Sequence, residues 1–275
     1  MQAPAMRVPG RQRGFTLIEL VMVIVILGVI GGIVAVFMRG PIDAYFASAR
    51  RAGLTDVADT TVRRITRDLR KALPNSVRTP AAQLGQCLEF IPTKTGGRYR
   101  ADESSGGLSF TAASTSFNML GSNSALPVDQ RIVAGDVVVV YNLGITGSDA
   151  YNQDNTAAVS AAPSESGVPP ETTLPISSKL FPLASGGSRF HVVPASENIV
   201  AYVCSGGNLY RTASTTFSSS CPATGAILAR NVSACNFDYA GSDLQRNGLV
   251  RMTIQLTSNA ETVSLQNEVH VDNTP

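Results

Sequence analysis

The feature that most constrains this chain is a long apolar run near its start. Phe15 to Met38 is 24 residues long and contains one charged side chain, Glu19. As a helix, the run would span about 36 Å, enough to cross a hydrocarbon core of about 30 Å. An ionised group at the bilayer centre costs about 2.5 kcal/mol or more. Glu19 is therefore predicted to have a function of its own.

The residues on either side of the run predict its orientation. Three arginines precede it, Arg7, Arg11 and Arg13. By the positive-inside rule this end stays in the cytoplasm, and everything after Met38 is exported. We therefore expect a single-pass membrane protein with an exported C-terminal part.

A secretory signal peptide fits the run poorly. Its apolar core is usually 7–15 residues, followed by a small-residue cleavage site. The A-x-A sequence at Ala47–Ala49 lies well past the apolar end. A simple anchor explains the length but leaves two features without a reason, the internal Glu19 and the abrupt Gly14–Phe15 junction.

The stretch RGFTLIELVMVIVILGVIGGIV resembles the class III signal of type IV pilins and type II secretion pseudopilins. The resemblance implies that residues 1–14 are a leader, which a prepilin peptidase removes after Gly14. It also implies that the peptidase methylates the new N-terminus at Phe15, and that 15–38 is a transmembrane and assembly helix. Implied partners are other pilins, the peptidase, the inner-membrane assembly platform and the membrane itself, so that the chain would lie in the bacterial inner membrane with a periplasmic C-terminal domain. The family's glutamate corresponds to Glu19.

The chemistry of a buried carboxylate supports that role for Glu19. Such a group either takes up a proton or seeks a cation. Cleavage after Gly14 creates a cation, the α-amino group of Phe15. An intramolecular pair is open because residues 15 and 19 are one helical turn apart. The resemblance instead implies pairing with the Phe15 amine of a neighbouring subunit, so that Glu19 sets the register of assembly.

Residues 39–73 are predicted to continue the helix as an amphipathic segment. Apolar positions recur every three or four residues, at Ile42, Tyr45, Phe46, Ala49, Gly53, Val57, Ala58, Val62, Ile65, Leu69 and Leu73. Pro41 is expected to kink the join, and Pro74 to stop the helix. The polar face is basic, with Arg50, Arg51, Arg63, Arg64, Arg67, Arg70 and Lys71. No aromatic residue interleaves these charges, which favours a solvated helix face over a lipid or DNA surface.

A second stretch narrows the resemblance. RRITRDLRKALPNSVR followed by CLEFIP is similar to a group of larger pilins and pseudopilins. That group contains J-type pseudopilins of type II secretion, PilW-type minor pilins and MshO-like proteins of MSHA pilus biogenesis, of which the last are most similar. The apolar run has no proline before Pro41, which favours a minor component over a major pilin.

Beyond Pro74, residues 74–275 are predicted to form an exported β-rich domain. Strand-like runs occur at 87–93 and 135–144, and hairpins are predicted at 198–212 and 249–271. The Ser/Thr/Gly/Pro-rich tracts 104–124 and 157–178 are predicted as long loops. The expected fold class is α+β, a pilin-like long N-terminal helix packed on antiparallel sheet.

The four cysteines are expected to form two disulfides, because all lie beyond the apolar run in the exported part. Three pairings are open. Cys204 and Cys221 flank a predicted hairpin, which favours joining them and leaves Cys87 to pair with Cys235.

No catalytic or cofactor motif stands out. G-x-S-x-G, Walker A and H-E-x-x-H patterns are all lacking, and His191 and His270 sit in strand-like contexts. Asp149, Asn152 and Asp154 are weak calcium candidates that lack the spacing of an EF-hand. A net charge of +2 gives nucleic-acid binding no support. We therefore expect no enzyme activity, no resident metal and no cofactor.

Two classes of function remain. The first is a structural minor pilin that takes part in the initiation or tip of a type IV, MSHA-like pilus, with a J-type secretion pseudopilin as the alternative. The second is a membrane-anchored adhesin or carbohydrate-binding module that uses the signal only for delivery. Aromatic residues make up just 6% of the chain, which disfavours a sugar-binding surface.

Overall fold

The computed structural model describes residues 14–83, 85–218, 221–240 and 247–275. The chain divides into two compact units, with the boundary between Arg50 and Arg51. Helix α1 (Leu17–Leu69) contributes to both. Pro41 lies inside α1 and does not end it. One long N-terminal helix and antiparallel β-sheets make an α+β, pilin-like architecture, as predicted.

In the second unit, α1 buries one face. Its buried apolar side chains are Leu54, Ala58, Val62, Ile65 and Leu69. Steps of three and four residues place them in one stripe. Each of the four larger side chains contributes roughly 1.5–3 kcal/mol by burial. Gly53 and Val57, which were expected on this face, are exposed instead.

The helix ends four residues before Leu73, which the sequence pattern had included. After Leu69 the chain turns, and the Leu73 N–H donates to the Ile91 carbonyl at 2.8 Å. Leu73 is buried in a cluster separate from the helix stripe, together with Ile91 and Val139. Leu73 is apolar because it packs against strands. The helical period alone could not distinguish this position from one further turn of α1.

The described part of the second unit contains fourteen β-strands. They are β1 (Cys87–Phe90), β2 (Thr95–Arg98), β3 (Ser114–Leu120), β4 (Val137–Val140), β5 (Thr156–Ala158), β6 (Ser164–Ser166), β7 (Glu171–Lys179), β8 (Arg189–Val193), β9 (Ile199–Ser205), β10 (Asn208–Ser214), β11 (Ala226–Arg230), β12 (Val232–Ala240), β13 (Asn247–Ser258) and β14 (Glu261–Asp272).

These strands form four sheets around two main cores. Sheets β1-β9-β10-β11 and β12-β13-β14 share a core with α1. Sheets β2-β8-β4-β5 and β3-β7-β6 enclose a second core of side chains such as Phe117 and Phe190. All pairings between these strands are antiparallel. The second core is built entirely from the chain between β1 and β9.

Both predicted hairpins are confirmed, and both predicted loops are wrong. β9 and β10 pair across Gly206–Gly207, and β13 and β14 pair across Asn259–Ala260. The tract 104–124 contains β3, and the tract 157–178 contains β6 and part of β7. Their Ser and Thr side chains are polar, but β3 and β7 still bury Phe117 and Leu174 in the second core.

Two disulfides are present, with a different pairing from the predicted one. Cys87 bonds to Cys221, and Cys204 bonds to Cys235. Strand alternation explains the correction, because successive side chains of β9 point to opposite faces. Cys204 belongs to the core beneath α1, whereas Cys87 and Cys221 cluster with Val203 on the other face. Proximity in sequence therefore misled the choice of Cys204 with Cys221.

Candidate functional site

The first described residues form the head of the apolar helix. Gly14 and Phe15 precede α1 in extended chain, and Phe15 is 85% exposed. A Cβ added at Gly14 would meet no atom within 4 Å. Within the part of the chain that the structure describes, nothing packs against the Gly14–Phe15 peptide bond that would block an enzyme.

Thr16 and Glu19 cap this helix reciprocally. The Glu19 N–H donates to the Thr16 hydroxyl at 3.4 Å, and the Thr16 N–H donates to the Glu19 carboxylate at 3.5 Å. This T-x-x-E arrangement is a capping box, which satisfies N–H groups that lack a partner at a helix start. The run Thr16-Leu17-Ile18-Glu19 carried that signal, yet the sequence interpretation gave Glu19 only a charge-pairing role.

The apolar part of α1 has no packing within the first unit. Every residue from Gly14 to Phe46 is exposed. The helix contains one segment long and apolar enough to cross a membrane. A helical segment that is apolar on all sides and exposed is suited to contact with lipid or with other helices. It fits a single-pass membrane anchor.

Residues 9–35 match a family model described as the prokaryotic N-terminal methylation motif. The chain carries the class III prepilin signal of type IV pilins and pseudopilins. No significant match arises among curated proteins or among solved structures. The prepilin signal covers Gly14, Phe15 and Glu19, so these residues lie in the motif that directs processing in that family.

The basic residues along the second half of α1 and just after its end lie largely in solvent. Arg63, Arg64, Arg67, Arg70 and Lys71 are exposed. Arg63 pairs with Asp59 one turn earlier at 2.7 Å, and Arg51 pairs with Glu261 at 2.8 Å. Exposed pairs of this kind contribute about 0–1 kcal/mol. The arrangement fits a solvated helix face, as the sequence pattern favoured.

Asp68 is an exception, since it joins a half-buried polar network that anchors α1 to the sheet. It accepts hydrogen bonds from the Tyr202 hydroxyl at 2.7 Å and from Arg211 at 3.0 Å. Arg211 also makes a bidentate pair with Glu197 at 2.8 and 2.9 Å. That pair lowers the pKa of Glu197 and raises the pKa of Arg211, while burial raises the pKa of Tyr202.

A cleft of about 430 Å³ adjoins this network, lined by residues such as Lys71, Lys94 and Arg211. Its charges are largely committed to ion pairs. Lys94 pairs with Asp136 at 2.5 Å, and Arg211 pairs with Asp68 and Glu197. Charges held in this way stabilise the fold and are poorly placed to act on a ligand.

An ion pair between a buried carboxylate and a half-exposed arginine, which sequence reasoning missed, braces β1. Glu89 is fully buried and pairs with Arg78, whose guanidinium lies 3.4 Å from the ring centre of Tyr151. The Tyr151 hydroxyl donates to the Ser76 carbonyl at 2.8 Å. Glu89 within the strand-like run CLEF was the sequence signal for such a pair, because an acidic residue among buried positions needs a partner.

The calcium candidates shape a turn. The Asp154 carboxylate accepts from the N–H groups of Gly147 and Asp149, at 3.0 and 3.3 Å. Asp149 in turn accepts from the Tyr151 N–H at 3.0 Å. Their oxygens thus bond to the backbone of their own loop. Among the described residues, the ligand atoms of Cys87, Glu89 and Cys221 are also close together, but both sulfurs are held in the disulfide.

The two histidines lie in different settings. His270 is exposed on β14, and His191 sits half-buried on β8. Burial, with the nearby Arg189, lowers the pKa of His191, and Asp272 acts weakly in the opposite direction. The Nε2 atom of His191 is buried without a hydrogen-bond partner among the described residues.

Proposed function

We propose that the chain is a structural minor pilin that takes part in the initiation or tip of a type IV, MSHA-like pilus. The supporting observation is the prepilin signal at the head of an apolar helix that has no packing of its own. A membrane helix with exposed apolar side chains is suited to packing with helices of neighbouring subunits. Pilin-type proteins are structural, so we propose a structural role without enzyme activity for this chain.

Processing is the first step of the proposed mechanism. Hydrolysis of the Gly14–Phe15 peptide bond leaves a carboxylate on Gly14 and an ammonium group on Phe15. In the uncut chain the Phe15 nitrogen is a peptide amide, and Glu19 caps the helix by accepting from Thr16. After cleavage, the Glu19 carboxylate pairs with the Phe15 amine of a neighbouring subunit. In a low-dielectric surrounding, a misplaced subunit would leave both charges unpaired, which is strongly unfavourable.

Glycines on the helix support close packing of such subunits. A Cβ added at Gly28, Gly31 or Gly32 would meet no atom within 4 Å, so the protein's own fold does not require glycine there. Small residues let the backbones of membrane helices approach closely. We therefore assign these three positions to contacts between subunits.

The proposed location is the inner membrane, with the N-terminus in the cytoplasm and the second unit in the periplasm before assembly. Arginines precede the span, and both disulfides lie in the second unit. Disulfides persist in oxidising compartments such as the periplasm.

The processing test is coexpression with a prepilin peptidase. The expected product begins at N-methylated Phe15, measured by intact-mass and N-terminal peptide mass spectrometry. Gly14→Ala tests the cut site, with Gly10→Ala as the control. A mature chain beginning at Arg50, after the A-x-A sequence, would overturn the proposal.

Substitutions at Glu19 test the assembly step and separate charge from capping. Glu19→Gln keeps a side-chain oxygen that can accept from Thr16 but removes the charge, whereas Glu19→Ala removes both. Both variants are expected to be processed and to fail to enter filaments, measured by immunodetection in sheared pili. Incorporation of the Gln variant at the wild-type level would show that the charge sets no register.

Deletion of the gene distinguishes a pilus from a secretion system. A minor pilin is expected to lower surface piliation and leave secretion of folded proteins unchanged. The reverse pattern would assign the chain to the J-type pseudopilins.

A further inference from the structure

Strand β14 presents a long edge that no other strand covers within the described residues. It is twelve residues long and pairs with β13 in an unbroken register from Ser258↔Glu261 to Asn247↔Asp272. As the last strand in the order β12-β13-β14, it has a neighbour on one side only. An edge of this kind carries a row of unpaired backbone donors and acceptors.

The turn before β14 determines which backbone groups face the open side. Asn259 and Ala260 both have positive φ, 48° and 64°, as in a type I′ hairpin. The flanking pair Ser258–Glu261 is then hydrogen-bonded, the next pair, Thr257–Thr262, is not, and this alternation continues along the two strands. The Thr257 N–H confirms this alternation, because it donates away from β14 to the Asn231 carbonyl.

The open side therefore carries the backbone groups of alternate residues. These are Thr262, Ser264, Gln266, Glu268, His270 and Asp272. Their side chains are all exposed, while those between them are half-buried or buried. One set of residues thus supplies the free backbone of the edge and the polar outer face of the strand.

Several features that protect an edge are missing from β14 in the described part of the chain, namely proline, lysine, a bulge and a covering segment. The strand does expose two carboxylates, Glu268 and Asp272, of which Glu268 pairs with Arg251 of β13. β14 contains no proline or lysine, and its register with β13 has no bulge. By contrast, the outer edge of β1 is covered by Arg78, and β12 bonds to Gly85 through the Phe237 N–H.

We propose that β14 is an interaction edge through which two copies of this chain pair as antiparallel strands. A second copy offers an extended edge of the same length and hydrogen-bonding pattern. The residues with outward backbone groups all have even numbers, and they must face one another across the interface. The twofold axis therefore passes through a residue position and never between two residues. This pairing uses the second unit and does not rest on the proposed role of the prepilin signal.

Side-chain complementarity favours the register centred on Asn267. In this register Gln266 lies opposite Glu268 of the second copy, and Ser264 lies opposite His270. On the inner face, Val263 lies opposite Val271 of the second copy, and Leu265 lies opposite Val269. No like charges face each other, and apolar residues meet apolar ones, as in stable cross-strand pairs. An axis at Gln266 would instead place Leu265 opposite Asn267 and Glu261 opposite Val271.

Cysteine crosslinking tests the pairing in the full chain in detergent micelles. In the Asn267-centred register, Gln266 forms a hydrogen-bonded pair with Glu268 of the second copy, so the Cα atoms of the two Gln266 residues are about 9 Å apart. Two Thr262 residues would be ten positions apart along the strands, about 34 Å. Gln266→Cys is therefore expected to give a covalent dimer with a short thiol crosslinker, at least tenfold more than Thr262→Cys.

The Thr262→Cys control also excludes a different explanation of crosslinking, namely association through the apolar helices. Association through the apolar helices alone would not favour one position of β14 over another. Equal crosslinking at both positions, or none at Gln266→Cys, would overturn the proposal. The edge would then be expected to pair with a strand from a different protein.

Proline tests the role of the backbone itself. Ser264→Pro removes an N–H that faces the open edge and leaves the β13–β14 bonds in place, so the hairpin is expected to tolerate it. In the Gln266→Cys background, this change should lower crosslinking at least fivefold, whereas Ser264→Thr should not. Undiminished crosslinking of a folded Ser264→Pro variant would overturn backbone pairing. If that variant unfolds, the Gln266 and Thr262 comparison still decides the proposal.

Discussion

Thr16 and Glu19 hold each other at the start of α1, since each side chain accepts a hydrogen bond from the other's backbone N–H, at 3.4 and 3.5 Å. The contact gives Glu19 a role before any neighbouring subunit is present. It holds the carboxylate at the helix N-terminus, where the helix dipole favours negative charge. Capping and later charge pairing are compatible, because a carboxylate has two oxygens.

Thr16→Val is expected to loosen the first turn of α1 without removing the charge of Glu19. The two bonds are long, so the cost should lie near the lower end of the range for a lost cap, about 0.5 kcal/mol. Amide hydrogen exchange of Glu19 and Leu20 in detergent micelles measures it. Thr16→Ser keeps the hydroxyl and is the control; equal protection in all three proteins would contradict the capping role.

The Cys87–Cys221 disulfide is expected to stabilise the second unit more than Cys204–Cys235 does. The bonds close loops of 134 and 31 residues. Loop entropy predicts about 5 and about 4 kcal/mol respectively. Replacing each pair by alanine should therefore lower the urea midpoint of the full chain more for Cys87/Cys221. A peptide map containing a Cys204–Cys221 link would contradict the pairing itself.

Arg78→Ala is expected to destabilise the second unit by roughly 1–3 kcal/mol, because it removes the half-exposed cation that pairs with the buried carboxylate of Glu89. Glu89→Gln in the same chain should recover part of that loss by removing the buried charge. A double-mutant cycle from urea unfolding measures the coupling between the two residues. Arg63→Ala, which removes an exposed pair, is the control and should change stability by less than about 1 kcal/mol.

His191 is expected to make stability depend on pH below its ordinary pKa of about 6.5. Its pKa is lowered in the folded state, so the unfolded chain binds the proton first as the pH falls. Stability should therefore be highest above pH 6.5 and should decline below it. Carboxylates with lowered pKa, such as Glu171 and Glu197, lose their contribution only in a more acidic window.

His191→Gln tests this origin, because glutamine does not titrate. The variant should lose the decline in thermal midpoint just below pH 6.5 and keep the one in the more acidic window. A decline of equal size in wild type and variant would assign the effect to another group.

Much of the local structure could be predicted from periodicity. The alternation in LVRMTIQLT and TVSLQNEVHV correctly predicted β13 and β14, because each strand buries one face and exposes the other. The apolar stripe of α1 likewise predicted its burial from Ala58 to Leu69. By contrast, β3 and β7 were taken for loops, since Ser and Thr conceal strands whose partners are distant in sequence.

Pairings between distant segments could not be predicted in the same way. The Arg78–Glu89 pair and both disulfides depend on which face of β1 or β9 a side chain occupies. A sequence shows spacing along the chain, but it does not show which strands become neighbours. Cys204 lies nearer to Cys221 along the chain, yet strand alternation directs it towards Cys235.

The sequence by itself determined the membrane-length apolar helix, the cut site candidate at Gly14–Phe15 and the unusual Glu19, because hydrophobic length and local motifs are properties of contiguous residues. Only the tertiary structure decided the disulfide pairing, the two-core arrangement of the sheets and the open edge of β14. Each of these depends on strand order and side-chain direction, and chain folding sets both through contacts between residues that are far apart in sequence.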